Sequence, residues 1–353
     1  MITEKLILNS IGPILRQYRE MRYFPSACVR VFNDKETLAA ACIGDADNDS
    51  VFDVASLTKI ATATQVLFLI DEGRLALRAP LEDLFEEIRE DEYLRGRLKG
   101  VTLYHLLTHT STIVDWYPFY SRRGEKFFDV FRYALEHTAP TEGMVYSDLN
   151  FMLLGLLLER LQKKPLVKCL REDLADRLGI PRMVYHPPLS WPLIPSDYGN
   201  RIEMGMCRER GIPFDGFRPL GVPVIGTVND GNSHYYFNDE AGHAGIFADA
   251  LSYEILCRFY MNSSSELFRE AQREQKDAPS RGLGLETGLT YPHGCGHTGF
   301  TGTCIYFSGE YRIGTVIFTN RLFWPDGDVK ILTDFRRAVN NTVFALRESG
   351  QIK

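Results

Sequence analysis

The sequence predicts an α+β fold, and three observations carry that prediction. Two β-prone hairpins sit toward opposite ends of the chain. The residues between them are mainly helix-patterned, and one helix near the first hairpin is apolar almost all the way round. One antiparallel sheet built from both chain ends and flanked by helices accommodates all three. The expected division is a discontinuous sheet domain, residues 1–78 and 235–353, and a mainly helical subdomain with long loops, residues 79–234. A site between the two parts is the default pocket.

Residues 2–22 have helical periodicity. Residues 27–32 and 37–43 flank the polar turn Asn33-Asp34-Lys35, a hairpin signature. Residues 56–71 read as a helix with Ile60, Val66, Leu67, Leu69 and Ile70 spread around its surface. Such a helix belongs in the middle of a protein, and Gly73 is placed to end it. Residues 75–178 are mostly helical, with a polar loop around Arg122-Arg123-Gly124. Residues 187–239 are rich in Pro and Gly and read as long ordered loops. Residues 302–307 and 312–318 form a second hairpin around Ser308-Gly309-Glu310, and a last helix covers about 329–347.

The 353 residues carry a net charge of −6, with 44% hydrophobic and 24% charged residues, which excludes a disordered or fibrous chain. No basic stripe is present, so nucleic-acid binding is not expected. The longest apolar run, residues 151–158, is far short of the ~20 residues that span a bilayer. The seven cysteines are widely spaced, odd in number and without C-x-x-C. They read as buried reduced thiols rather than a metal cage or redox pair. With no signal-peptide pattern in MITEKLILNS, a cytoplasmic location is expected.

The chemistry begins at Ser56-Leu57-Thr58-Lys59. Residues i and i+3 of a helix share a face, so the Lys59 amine can lie beside the Ser56 hydroxyl. A serine is a poor nucleophile until a neighbour takes its proton. The motif alone is weak, because Ser56 can simply cap a helix while Lys59 is solvated. Further along come Tyr146-Ser147-Asp148, followed by an apolar helix, and His297-Thr298-Gly299 before the C-terminal hairpin.

With these three motifs in order, the sequence resembles the serine β-lactamase and penicillin-binding-protein superfamily, in its class C β-lactamase, DD-peptidase and esterase branch. The flanking segments are similar too: VTLYHLLTHTS at 101–111, YSDLNFMLLG at 146–155, GTVND at 226–230, AGHAGIF at 241–247, GHTGFTG at 296–302 and TNR at 319–321. The resemblance covers about residues 24–340. It implies the β-lactamase/transpeptidase-like fold and a serine hydrolase with no cofactor and no metal. The implied substrate is a small acyl compound: an ester, a D-amino-acid peptide or amide, or a β-lactam.

The roles it implies are Ser56 as nucleophile and Lys59 with Tyr146 as the proton-transfer pair, with either one as base. The backbone N–H groups of Ser56 and Phe300 form the implied oxyanion hole. His297, Thr298 and Gly299 form the third motif, and Asp148 closes the second. Asp148 stands where Asn is frequent, and an ionised Asp can only accept hydrogen bonds. His297 stands where Lys is frequent. Its expected role is to read a substrate carboxylate with a charge that fades between about pH 5.5 and 7.5. A non-catalytic penicillin-binding or sensory module is the alternative, but it has no need to keep Ser56, Lys59 and Tyr146 together.

His105 and His109 have i, i+4 spacing but no third ligand, so they read as packing or loop-pinning residues. His243 and Asp230 read as loop-ordering residues. The aromatic run 116–120 reads as a pocket rim. Residues 282–288 look faintly like a dinucleotide loop, but with the wrong spacing and no βαβ unit around them.

Overall fold

Both hairpins form, and they meet in one sheet. The computed structural model describes residues 2–352. Helix α1 (Ile2–Glu20) leads into β1 (Ala27–Asn33) and β2 (Thr37–Ile43). The C-terminal half supplies β3 (Cys295–Thr298), β4 (Cys304–Ser308) and β5 (Ile313–Thr319), then a final helix. The strand order is β2-β1-β5-β4-β3, with every neighbouring pair antiparallel. β1 and β5, from opposite ends of the chain, pair at the sheet centre from Ala27↔Thr319 to Asn33↔Ile313.

The period-2 pattern of β1 sorts its side chains between two cores. Val29 and Val31 join Ile7, Ile11 and Leu15 of α1 and Phe335, Val339 and Val343 of the last helix, Thr333–Glu348. Cys28 and Phe32 face the other way, into the main core with Tyr253, Leu256 and Tyr260 of Ala250–Asn262. With helices on both faces, β5 is buried along its whole length. The last helix begins at Thr333 rather than near 329, after a loop around Pro325.

Helix α2 (Thr58–Asp71) runs through the main core and is buried from Thr58 to Leu69. It packs against α3 (Asp148–Gln162), the helix after the second motif. Close backbone contact behind α3 requires glycine. A Cβ on Gly242 would lie 2.2 Å from the Phe151 carbonyl oxygen and 2.8 Å from Gly155. Within residues 187–239, read as loop, residues Arg201–Glu209 form helix α4.

The cysteine expectation needs a correction. Cys28 and Cys42 are bonded as a disulfide, while Cys169, Cys207, Cys257, Cys295 and Cys304 are free and buried. The physical reason is hairpin register: Cys28 and Cys42 are direct cross-strand partners with Cα atoms 4.2 Å apart. Disulfides persist in oxidising compartments, so reduced thiols no longer support a cytoplasmic location. Among the described residues, no helix is long and apolar enough to cross a membrane.

Candidate active site

The three motifs converge on one cavity of about 340 Å³. Its lining includes Ser56, Tyr146, Asp148, Thr298 and Phe300, with Trp116, Met206, Asn229, Asp230, Ala244, Glu203, Arg281 and Glu286. Ser56 lies in a single 3₁₀ turn, Ala55–Leu57, that opens α2. Ala55 just before it has φ +49°. That left-handed conformation costs an L-residue about 1–2 kcal/mol, so something must hold it.

Lys59, one turn on, is fully buried. Its Nζ donates to Ser56 Oγ at 3.0 Å and to the His243 carbonyl at 3.0 Å, and pairs with Asp148 Oδ1 at 2.7 Å. Burial alone would push the lysine pKa down. Asp148, then Tyr146, outweigh burial and hold it above its ordinary value, so Lys59 is an ammonium at neutral pH. Lys59 Nζ lies 5.0 Å from the Tyr146 ring centroid, and the phenol interacts with both Lys59 and Ser56. Burial raises its pKa, Lys59 opposes that and Asp148 adds to it, leaving a net rise and a neutral phenol.

The second motif is aimed by His109. This buried imidazole accepts the Ser147 N–H at its Nδ1 (3.0 Å) and lies 4.6 Å from the Tyr146 ring. Ser147 Oγ donates to the Val114 carbonyl at 2.7 Å, and the Asp148 N–H donates to the Asp115 carbonyl at 2.9 Å. His105 caps its own helix through Nδ1, 3.0 Å from the Thr102 N–H. His243 Nε2 faces Asp230 Oδ1 at 2.9 Å while its carbonyl holds Lys59. Asp148, Asp230 and His243 bring ligand-capable atoms within 4.8 Å of one another, and the cation already seated there is the Lys59 ammonium.

The third motif sits on β3 and the turn after it. Gly299 lets that turn press on the nucleophile segment: a Cβ there would lie 2.5 Å from the Val54 carbonyl oxygen. Thr298 and Phe300 line the cavity, but His297 does not. It is 2% exposed, and its Nδ1 lies 2.8 Å from the Thr298 carbonyl. Burial pushes its pKa down to about 4, despite an opposing pull from Glu286. The expected loss of charge between pH 5.5 and 7.5 therefore does not occur: His297 is already neutral there.

The cation that lines the cavity is Arg281, a residue the sequence did not single out. It is 9% exposed, 5.4 Å from the Tyr146 ring centroid, with Nη1 3.3 Å from Glu286 and its buried Nε without a partner. Of the aromatic run, Trp116 lines the cavity, while Tyr117 and Phe119 belong to the main core. Glu203 on α4 is a further lining carboxyl. Burial, with Asp230 adding to it, pushes its pKa well up.

Residues 13–338 match the family described as Beta-lactamase. The chain belongs to that family. It is 26% identical over 309 residues to the N-acetylmuramyl-L-alanine amidase of Bacillus subtilis, covering 78% of this chain and 69% of that protein. It is 25% identical over 332 residues to a Salmonella typhimurium protein provisionally named D-alanyl-D-alanine carboxypeptidase, covering 84% and 75%. Among solved structures, the D-amino acid amidase of Ochrobactrum anthropi, complexed with D-phenylalanine, superposes with TM-score 0.71 at 16% identity over 97% of this chain and 99% of that one. A class C β-lactamase of Rhodobacter sphaeroides gives 0.68 at 17% identity over 96% and 99%. These structures share the β-lactamase/transpeptidase-like fold of this chain.

Proposed function

We propose that the protein is a serine hydrolase that acylates Ser56 and then hydrolyses the ester. Family membership supports the hydrolase, and one observation supports the mechanism. A buried ammonium, Lys59, lies 3.0 Å from Ser56 Oγ and 2.7 Å from Asp148 Oδ1, behind Ser56, Tyr146 and Asp148, which line the cavity. A binding module has no use for that juxtaposition.

Ser56 Oγ attacks the substrate carbonyl, and the carbonyl oxygen takes the negative charge toward the N–H groups of Ser56 and Phe300. The serine proton enters the Lys59–Tyr146–Asp148 cluster. Lys59 already holds its proton and Tyr146 is a phenol, so the anion of the cluster, Asp148, is the net acceptor. Lys59 passes one proton to Asp148 and takes one from Ser56. The cluster then returns a proton to the leaving amine or alcohol, and water cleaves the acyl ester by the same route in reverse.

Substrates are small acyl compounds, with D-amino-acid peptides and amides ahead of β-lactams. The names of the D-alanyl-D-alanine carboxypeptidase relative and the D-amino acid amidase support that order. Asp148 cannot donate to a substrate amide carbonyl as an Asn would. A carboxylate beside the scissile bond would meet Arg281, not His297. The test pairs a carboxylate-bearing D-alanyl ester with its neutral methyl-ester analogue in wild type and Arg281→Gln. Arg281→Gln is expected to lose about 10–100-fold in kcat/KM on the acid, the value of one charged contact, and little on the neutral compound. Equal losses on both would remove Arg281 from substrate recognition.

A further inference from the structure

Asp53 lies three residues before Ser56, at the end of the short strand Phe52–Asp53. It is 2% exposed and is not part of the cavity lining. Both of its carboxylate oxygens are engaged by backbone. Oδ1 accepts the Ala55 N–H at 2.8 Å, and Oδ2 accepts the Asn229 N–H at 2.7 Å. Ala55 is the left-handed residue that aims Ser56 into the cavity. Asn229 and its neighbour Asp230 form a second wall of the same cavity.

The backbone here ties in a third wall. The Asp53 carbonyl accepts from Thr301 Oγ1 at 2.7 Å, and the Val54 carbonyl accepts from Thr303 Oγ1 at 2.9 Å. The nucleophile turn, the 229–230 wall and the turn carrying Phe300 therefore meet at one side chain and its backbone. Resting on the reading of Ser56 as nucleophile, we propose that Asp53 is a positioning residue: its ionised carboxylate clamps the strained Ala55-Ser56 turn to the Asn229–Asp230 wall.

The clamp needs both oxygens as acceptors, which only the carboxylate offers. A protonated carboxyl turns an O–H toward one of the two N–H donors and releases it. Burial raises the Asp53 pKa, the Asn229 and Ala55 N–H groups lower it, Asp230 raises it and Arg218 lowers it, with a net value of about 6. Asp230 in turn carries His243 on its far side. Because the folded value lies above the unfolded one, Asp53 contributes stability at low pH that is lost as pH rises through about 6. Activity should move the other way. A purely structural role does not produce that opposition.

The experiment measures kcat and KM on a neutral ester, which does not call on Arg281, from pH 4.5 to 8. Wild-type kcat should fall about tenfold per pH unit below about pH 6, with KM within about threefold throughout. In Asp53→Asn, kcat at pH 7.5 should drop about 10–100-fold, as expected for a misaimed nucleophile, and the acid limb near 6 should vanish. Adding Ala55→Gly should recover part of the loss, since glycine holds φ near +49° without a brace. His243→Gln should leave the limb in place. A limb that persists in Asp53→Asn, or moves with His243 instead, would overturn the clamp. If Asp53→Asn does not fold, the wild-type profile and Ala55→Gly decide: a flat wild-type profile, or an Ala55→Gly limb as steep as wild type, overturns it. Labelling of wild-type Ser56 by a fluorophosphonate at pH 8 keeps the two readings apart. Failure to label counts against Ser56 as nucleophile, whereas normal labelling with a pH-independent rate counts against Asp53 alone.

Discussion

Replacing Asp148 by Asn removes the charge that keeps Lys59 an ammonium while leaving shape almost unchanged. Breaking a buried ion pair from one side costs about 3–5 kcal/mol. Here the cost is smaller, because the Asp148 side chain keeps 18% of its exposure and Lys59 retains Ser56 Oγ and the His243 carbonyl. We expect Asp148→Asn to lose about 2–3 kcal/mol at pH 7 by urea unfolding. The sign follows from linkage. The folded Lys59 pKa lies above its unfolded value of 10.5, so its contribution is complete below that value and is lost only above it. Wild type and variant should therefore be furthest apart near pH 6, and the gap should narrow toward pH 9 as the variant's Lys59, its pKa lowered by burial, gives up its proton.

The kinetic consequence runs with it. If Asp148 is the net proton acceptor, the variant must use neutral Lys59 instead. With Asp148 gone, burial dominates and lowers the lysine pKa. At pH 7, kcat/KM on a neutral ester should fall by about 10²–10⁴, the usual worth of a general base, and recover as pH rises toward 9 or 10. A variant as stable as wild type, with an unchanged pH profile, would refute both halves of the reasoning.

The ratio of kcat/KM for an acid and its matched neutral ester should stay flat between pH 5.5 and 7.5, because His297 is neutral throughout; a tenfold fall across that window would show a charged His297. Gly242→Ala places a Cβ 2.2 Å from the Phe151 carbonyl oxygen, so it should destabilise by about 1–3 kcal/mol in urea and lower kcat by moving the His243 carbonyl off Lys59. Wild-type behaviour there would mean that α3 and the 241–245 loop part easily. A tryptic map without reductant should join the peptides holding Cys28 and Cys42; free alkylation of both would contradict the pairing.

The fold was readable because its signals are local. Period-2 runs at 27–43 and 302–318 and the all-round apolar 56–71 helix each specify their own structure before any tertiary contact. The disulfide was not readable by counting: outward from the Asn33–Glu36 closure Cys28 falls opposite Ala41, and the irregularity between Val31 and Phe32 shifts it to Cys42. β3 was too short and too glycine-bordered to stand out, and α4 lay inside a Pro- and Gly-rich stretch. At the site, residues that stand in motifs were found. Residues that matter through burial or through partners distant in sequence were not. His297 looked like a switch because motif position says nothing of desolvation. Arg281 was one arginine among many until the fold set it beside Tyr146. Asp53 showed nothing until Asn229, far along the chain, came to share its carboxylate.

The central claim is that acyl transfer passes through Ser56. It is tested most directly by mass spectrometry of the protein quenched during turnover of an activated D-alanyl ester and, separately, of benzylpenicillin, followed by peptide mapping. One acyl group per chain is expected, located on Ser56, forming and decaying at rates compatible with turnover and absent from an inactive Ser56→Ala. An adduct on another residue, or full turnover by Ser56→Ala, would contradict it.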